Sequence, residues 1–230
     1  MYLYWQSFLD LVFPRVCVVC NETILLPAEE YFCTHCRSRL PLTDYHRFPQ
    51  QNPMYERIRA LMPASGVFAL LLFTAGGKTQ KLLHTIKYKN QPELAALLGR
   101  WLGRRVEEEG GQHAWDAIVP VPLYHRKFKQ RGYNQSAYFA RGLAHSLQLP
   151  VVEDALIRVR ATETQTRKTR LRRWYNVTEV FEVTRPDLVR DKRLLLVDDV
   201  ITTGATIASC GQQLLMAGSR SVTLASIASA

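Results

Sequence analysis

The stretch LLLVDDVITTGAT, Leu194 to Thr206, places two carboxylates after an apolar run and follows them with threonines and a glycine. Leu194 to Val197 are uninterrupted apolar residues, the pattern of a strand buried on both faces of a parallel sheet. Asp198 and Asp199 fall where that strand is expected to end. From Ala205 onward, Ile207, Cys210 and Leu214 recur at helical spacing, so Thr202 to Thr206 read as the turn that opens a helix. In open α/β sheets, ligands collect at the carboxyl ends of strands. The stretch therefore predicts a polar ligand at a sheet edge.

Working outward, GVFALLLF reads as a buried strand, and GKTQKLLHTIKYKN and QPELAALLGRWLGRRVEEE as helices. Leu94, Leu97, Trp101 and Arg105 trace one mainly apolar face of the second helix. WDAIVPVP is a strand entering a proline-stiffened loop, NQSAYFARGLAHSLQ a helix, TEVFEV a strand and SVTLASIAS a last strand. Strands alternating with helices predict an α/β fold, a mostly parallel sheet flanked by helices. The low-order stretch PLTDYHRFPQQNP reads as the connection to a small N-terminal module. That divides the chain into residues 1–62 and 63–230. AGGKT, Ala75 to Thr79, ends like a phosphate-binding P-loop, but Leu72 stands where that motif needs glycine, and its side chain would block the backbone from wrapping a phosphate. An acceptor aspartate of receiver type does not account for the threonine-rich tail after Asp199.

With 47% hydrophobic and 22% charged residues, the composition is that of a folded globular chain. No apolar run approaches the roughly 20 residues needed to span a bilayer. MYLYWQSFLDLVFPR lacks a basic n-region and reads as an amphipathic helix packed on the protein itself, so a cytoplasmic location is expected. The net charge of +10 resides in two segments: residues 120–135 carry +4 and residues 158–173 carry +6. Both could serve an anion.

Four of the five cysteines form CVVC (Cys17, Cys20) and CTHC (Cys33, Cys36). Two such knuckles twelve residues apart are ordinary spacing for a tetrahedral four-thiolate zinc site. Disulfides are the alternative, disfavoured without a secretion signal. His35 is read as a bystander, since four sulfurs close the shell, and the zinc as structural. Cys210 is expected in the core.

A sugar phosphate would satisfy both halves of the opening stretch. Backbone N–H groups of a tight turn at a helix N-terminus suit a phosphate. Thr202, Thr203 and Thr206 add hydroxyl donors, and Gly204 removes a side chain where the backbone must approach. Carboxylates would repel the phosphate; they suit sugar hydroxyls or a magnesium ion.

Residues 194–206 resemble the phosphoribosyl pyrophosphate (PRPP) motif of type I phosphoribosyltransferases, with every position from Val200 through Ala205 to Thr206 filled. VPVP with RGYNQ (Arg131 to Gln135), Thr164–Gln165 followed by RWYNVTEVF, KYKN after Ile86 and the four-cysteine module together resemble the competence-protein ComF family, over nearly the whole chain. The resemblance implies a type I phosphoribosyltransferase-like domain over residues 63–230. Asp198 and Asp199 would hold the ribose 2- and 3-hydroxyls with Mg2+, and the threonine loop the 5-phosphate. A pyrophosphate loop at Leu123, Tyr124 and His125 would set Arg126, Lys129 and Arg131 near the leaving diphosphate. A mobile loop is expected within residues 158–173. Because the sequence stops at Ala230, directly after the last strand, any hood over the acceptor is expected from residues 1–62.

Two functions remain open at this stage. One is an enzyme that transfers phosphoribosyl from PRPP to an unidentified acceptor. The other, implied by the ComF resemblance, is a competence factor that assists uptake of single-stranded DNA beside other DNA-uptake proteins. Tyr124, Phe128, Tyr133, Trp174 and Tyr175, scattered through the basic segments, suit base stacking. The sequence gives no reading of oligomeric state.

Overall fold

Leu194 to Val197 are wholly buried, and their side chains alternate between two cores. In the computed structural model, which describes residues 15–24, 30–159 and 180–230, they lie in a strand flanked on both sides. The expected N-terminal helix, Thr164–Gln165, Trp174, Tyr175 and most of the basic 158–173 segment lie outside the described residues. In chain order the elements are α1 (Thr34–Ser38), α2 (Pro53–Arg59), β1 (Gly66–Leu72), α3 (Lys78–Tyr88), α4 (Pro92–Glu108), β2 (Ala117–Pro120), α5 (His125–Arg131) and α6 (Gln135–Leu147). Then follow β3 (Leu156–Val159), β4 (Val180–Val183), α7 (Pro186–Val189), β5 (Arg193–Ile201), α8 (Ala205–Met216) and β6 (Ser221–Ser229).

The main sheet is parallel, in the order β1-β6-β5-β2, and β3 and β4 form a separate antiparallel pair. Leu195 and Val197 face α3, α4 and α6; Leu194 and Leu196 face α2 and α8. A mostly parallel sheet flanked by helices is thus the fold the sequence predicts. No helix among the described residues is long and apolar enough to cross a membrane.

Three expectations are corrected. First, β5 does not stop before the carboxylates. It runs through Asp198 and Asp199 to Ile201, because β6 keeps pairing, Asp198 with Ser226 and Ile201 with Ser229. Second, the buried line of α4 is Leu94, Leu98, Leu102 and Val106. Leu97, Trp101 and Arg105 lie on its flank, where the Trp101 ring packs 5.4 Å from Phe32 of the cysteine module. Third, the connection ahead of β1 is ordered. Residues 41–49 run along the β1 edge, with Thr43 N–H on the Leu70 carbonyl (2.9 Å) and Val67 N–H on the Pro49 carbonyl (2.8 Å). The helix α2 that follows buries Met54 and Ile58, with Met62 beyond it, in the core shared with α8.

Helices α4 and α6 approach closely because glycines face each other. A Cβ at Gly142 would sit 2.0 Å from the Ala96 carbonyl oxygen, and one at Gly99 2.3 Å from that of Phe139. Backbone cannot yield as a side chain does, so a methyl group must push the helices apart. Gly142→Ala is therefore expected to cost about 2 kcal/mol or more, a fall of several degrees in Tm. Thermal unfolding followed by circular dichroism measures it.

Candidate functional site

The site begins where β2 ends. Strand β2 pairs with β5 only as far as Pro120 beside Val197, and Val121 N–H makes the last bond across, to the Val197 carbonyl (2.8 Å). From Asp198 onward, β5 keeps one neighbour, β6, and its other side opens toward the loop Val121–Tyr124. A cleft at a strand's carboxyl end is where open α/β sheets place ligands.

Both carboxylates are held. Asp198 Oδ1 accepts from the Ser136 hydroxyl (2.9 Å) and from the Asp199 N–H (2.8 Å). Asp199 Oδ2 lies 3.0 Å from Lys87 Nζ, with the two side chains only 13% and 23% exposed. Burial, then the adjacent Asp199 charge, pushes the Asp198 carboxyl up to about 7, against its two hydrogen bonds and the Lys87 charge. Cys210 lies buried on α8, as expected.

The segment Tyr133–Ser136 ties the cleft together. Tyr133 donates its hydroxyl to the Ile86 carbonyl at the end of α3 (2.5 Å). The Asn134 side chain donates to the Val121 carbonyl (3.0 Å) while its Oδ1 caps α6 by accepting from Ser136 N–H (3.2 Å). Sequence reading used RGYNQ and KYKN only as family markers and missed that Ser136 and Lys87 contact the two carboxylates. The signal available was the recurrence of short polar segments next to buried elements, without any pattern that pairs them.

After β5, the chain turns at Thr202–Gly204 into α8. Gly204 has φ +83° and is buried, and a Cβ there would meet Ile58 Cδ1 at 2.3 Å. Glycine is thus required both by the left-handed backbone and by the packing of α2. Thr202, Thr203 and Ala205 are exposed, Thr206 and Val200 partly so, and Thr203 Oγ1 accepts from the Ala205 N–H (3.4 Å). On the other side of the cleft, Tyr124 caps the short helix α5, which starts at His125. The turn expected around Leu123 to His125 is therefore confined to residues before His125. Arg126 and Lys129 are exposed on α5, and the Arg131 guanidinium lies 5.5 Å from the Tyr88 ring centre. Lys78 of the P-loop look-alike reaches the Arg39 carbonyl (3.1 Å), a structural task.

Of the N-terminal cysteines, Cys17 and Cys36 are buried, Cys20 and Cys33 partly so, and their four sulfurs all lie within 4.8 Å of one another. The Cys20 and Cys33 sulfurs are 3.8 Å apart, far beyond a disulfide bond of about 2.05 Å. Four thiolates at about 2.3 Å from one zinc ion would be about 3.8 Å apart, so the cluster fits the metal. Thiol acidities in the cluster diverge. Burial opposes ionisation of Cys17, but backbone N–H groups of Cys20, Cys33 and Val19 bring it down to about 7. Cys36 is pushed up to about 12 by burial and by its neighbouring thiols. A dication would let all four ionise together.

A family model described as a phosphoribosyl transferase domain matches residues 84–230. The chain belongs to that family. A second model, a double zinc ribbon domain, matches residues 8–46, and with the sulfur geometry it supports a structural zinc. Over 222 residues the chain is 31% identical to a DNA utilization protein YhgH of Salmonella typhimurium, covering 92% of this chain and 96% of that one. Competence protein F of Haemophilus influenzae is 29% identical over 182 residues, covering 76% and 75%. The ComF resemblance of the sequence is thereby shown. Among solved structures, adenine phosphoribosyltransferase of Leishmania tarentolae is 17% identical, with a TM-score of 0.40 over 69% of this chain and 90% of that one.

Two outcomes follow for this phosphoribosyl transferase domain and its ribbon. Because the folded state raises the Asp198 pKa, it retains a proton that the unfolded chain has lost between about pH 4 and 7, so stability falls as pH rises through that window. Asn at 198 keeps an oxygen for both donors but carries no charge. Asp198→Asn should therefore match wild type in Tm near pH 4 and exceed it by several degrees at pH 8, on the order of 2–4 kcal/mol. Melts across the pH range measure the divergence. Stripping zinc with a chelator should shift Trp101 fluorescence, since Phe32 packs on that ring, and lower Tm by about 5 °C or more.

Proposed function

We propose that this chain binds PRPP with magnesium at the carboxyl edge of β5 and transfers its phosphoribosyl group to an acceptor, releasing pyrophosphate. The observation that carries this reading is the order of chemistries along one open sheet edge. Two carboxylates lie at its centre, a left-handed glycine loop opens α8 on one side, and the basic helix α5 follows β2 on the other. The family match over residues 84–230 supports it.

In this reading, Asp198 and Asp199 are the catalytic pair that accepts hydrogen bonds from the ribose 2- and 3-hydroxyls. The loop Val200, Thr202, Thr203, Gly204, Ala205 and Thr206 takes the 5-phosphate on its N–H and hydroxyl groups. Tyr124, His125, Arg126, Lys129 and Arg131 border the pyrophosphate, where cations stabilise the charge that develops as the anomeric C–O bond breaks. Magnesium bound with PRPP supplies positive charge to the diphosphate and the sugar hydroxyls. Lys87 takes a positioning role, holding the Asp199 carboxylate in place at the cleft floor. The site belongs to residues 63–230, a unit of a cytoplasmic protein whose residues 1–62 carry the zinc ribbon and its connection.

A second reading, handling of single-stranded DNA during natural transformation with other uptake proteins, is favoured by the names of the relatives and by one surface feature. Tyr88 is 68% exposed between His84, 4.9 Å away, and Arg131. Exposed Phe128 lies on the same basic helix as Arg126. Such cationic and aromatic neighbours suit a polynucleotide as well as a diphosphate. DNA bound through several phosphates would weaken steeply with added salt.

Calorimetric titration of PRPP with magnesium tests the first reading. Wild type should bind, and the Asp198→Asn/Asp199→Asn double variant should lose about tenfold or more in affinity, one or more hydrogen bonds to a charged acceptor. Equal binding by both proteins removes the carboxylates from ligand recognition, and no binding by either turns attention to DNA.

A further inference from the structure

Helix α2 lies against the back of the loop that opens α8, and its contacts there are made by named side chains. Ile58 is wholly buried and fills the space that a side chain at Gly204 would need. Gln212 Nε2 on α8 donates to the Leu61 carbonyl (2.7 Å). Arg57 donates through Nη1 to the Thr202 carbonyl, and through the same nitrogen to a main-chain oxygen of Ala230 (2.7 Å). At its other end α2 is fixed by Asn52, whose Oδ1 caps Tyr55 N–H (3.0 Å) and whose Nδ2 donates to the Phe48 (2.9 Å) and Val67 (2.8 Å) carbonyls. The helix is pinned to β1 at its start and to the loop at its end. Arg57 is thus presented from a rigid base.

We infer that Arg57 is a positioning residue for phosphate binding: by holding the Thr202 carbonyl it aims the Thr203 N–H at the ligand. The inference rests on the reading of Val200–Thr206 as the phosphate loop. In a planar trans peptide the C=O and the N–H point in opposite directions. A guanidinium that captures the Thr202 oxygen on the α2 side therefore turns the Thr203 N–H toward the open side of the loop. Without that capture, the peptide can flip and present its oxygen to an anion, replacing an attraction by a repulsion.

A lysine at this position would keep the charge but lose the planar guanidinium that fixes the direction of the Nη1 donors toward the two main-chain oxygens. That separates positioning from simple electrostatic attraction. The experiment titrates ribose 5-phosphate into wild type, Arg57→Ala and Arg57→Lys by calorimetry, at a temperature well below each protein's Tm. The second ionisation of the bound phosphate, about 6 for a free phosphate ester, is followed by 31P NMR. Positioning predicts that both variants lose about tenfold in affinity, one well-aligned charge-assisted bond. It also predicts that the bound phosphate's ionisation returns toward the free value in both.

Full recovery by Arg57→Lys of affinity and of the 31P titration overturns positioning in favour of bulk charge. Wild-type affinity in Arg57→Ala overturns any role for the residue while leaving the phosphate-loop reading intact. Absence of ribose 5-phosphate binding by wild type overturns both together. Arg57 is exposed, so the variants are expected to fold, and unchanged zinc content and Tm confirm it.

Discussion

A strand buried on both faces must satisfy its backbone through its neighbours, and β5 depends on two of unequal length. Strand β6 accompanies it from Arg193 to Ile201, while β2 leaves it after Val197. That difference creates the cleft: the strand stays straight and fully bonded on one side while the other opens at Asp198. A carboxylate set on such a strand is rigid, because turning it would break the pairing with β6. The cost is desolvation, seen in the raised pKa of Asp198 and in the commitment of Lys87 to Asp199. Placing charge at a buried strand end lowers stability for the sake of a fixed geometry, as functional sites commonly do.

The cysteine module is continuous with this framework. Cys17, Val19, Ile24, Phe32, Cys36 and Leu40 belong to the same apolar cluster as Phe68, Leu98 and Leu195. Arg37 also stacks over the Trp101 ring, at 5.0 Å. A zinc ion in the four-sulfur cluster would therefore stiffen the face of α4 as well as its own two knuckles. Residues 41–62 carry this continuity to the opposite face of the sheet, ending at the loop before α8.

Much of this was legible in the sequence, for reasons that differ by element. The uninterrupted apolar run Leu194–Val197, the helical spacing from Ala205 and the two Cys-x2-Cys pairs are strong because burial or metal geometry fixes each pattern. The length of β5 was not legible, since adjacent aspartates normally end a strand and only the partner β6 overrides them. Helix α2 went unread although Asn52 and Pro53 form a standard cap and first-turn pair, because the prolines and glutamines before it outweighed seven helical residues. The true buried line of α4 was displaced from the one chosen because Trp101 is apolar enough to pass for core while serving the cysteine module. In the candidate site, the carboxylates and the glycine loop were found from their own stretch. Lys87 and Ser136 were not, because pairing across 62 or more residues leaves no local trace.

The path of residues 41–49 along β1 has a consequence for how copies of this chain can meet. An open parallel sheet ends in two strands whose free N–H and C=O groups template further pairing, between molecules as readily as within one. Here one border is taken by Pro41 to Pro49, and the other, at Ile118, by Pro150 and Val152, which exchange hydrogen bonds of 2.9 Å with it. Proline at Pro41, Pro49 and Pro150 also withholds a donor from any strand that might dock outside them. Among the described residues, both rims of the main sheet are thus partly covered, which leaves a second copy little free edge there to extend.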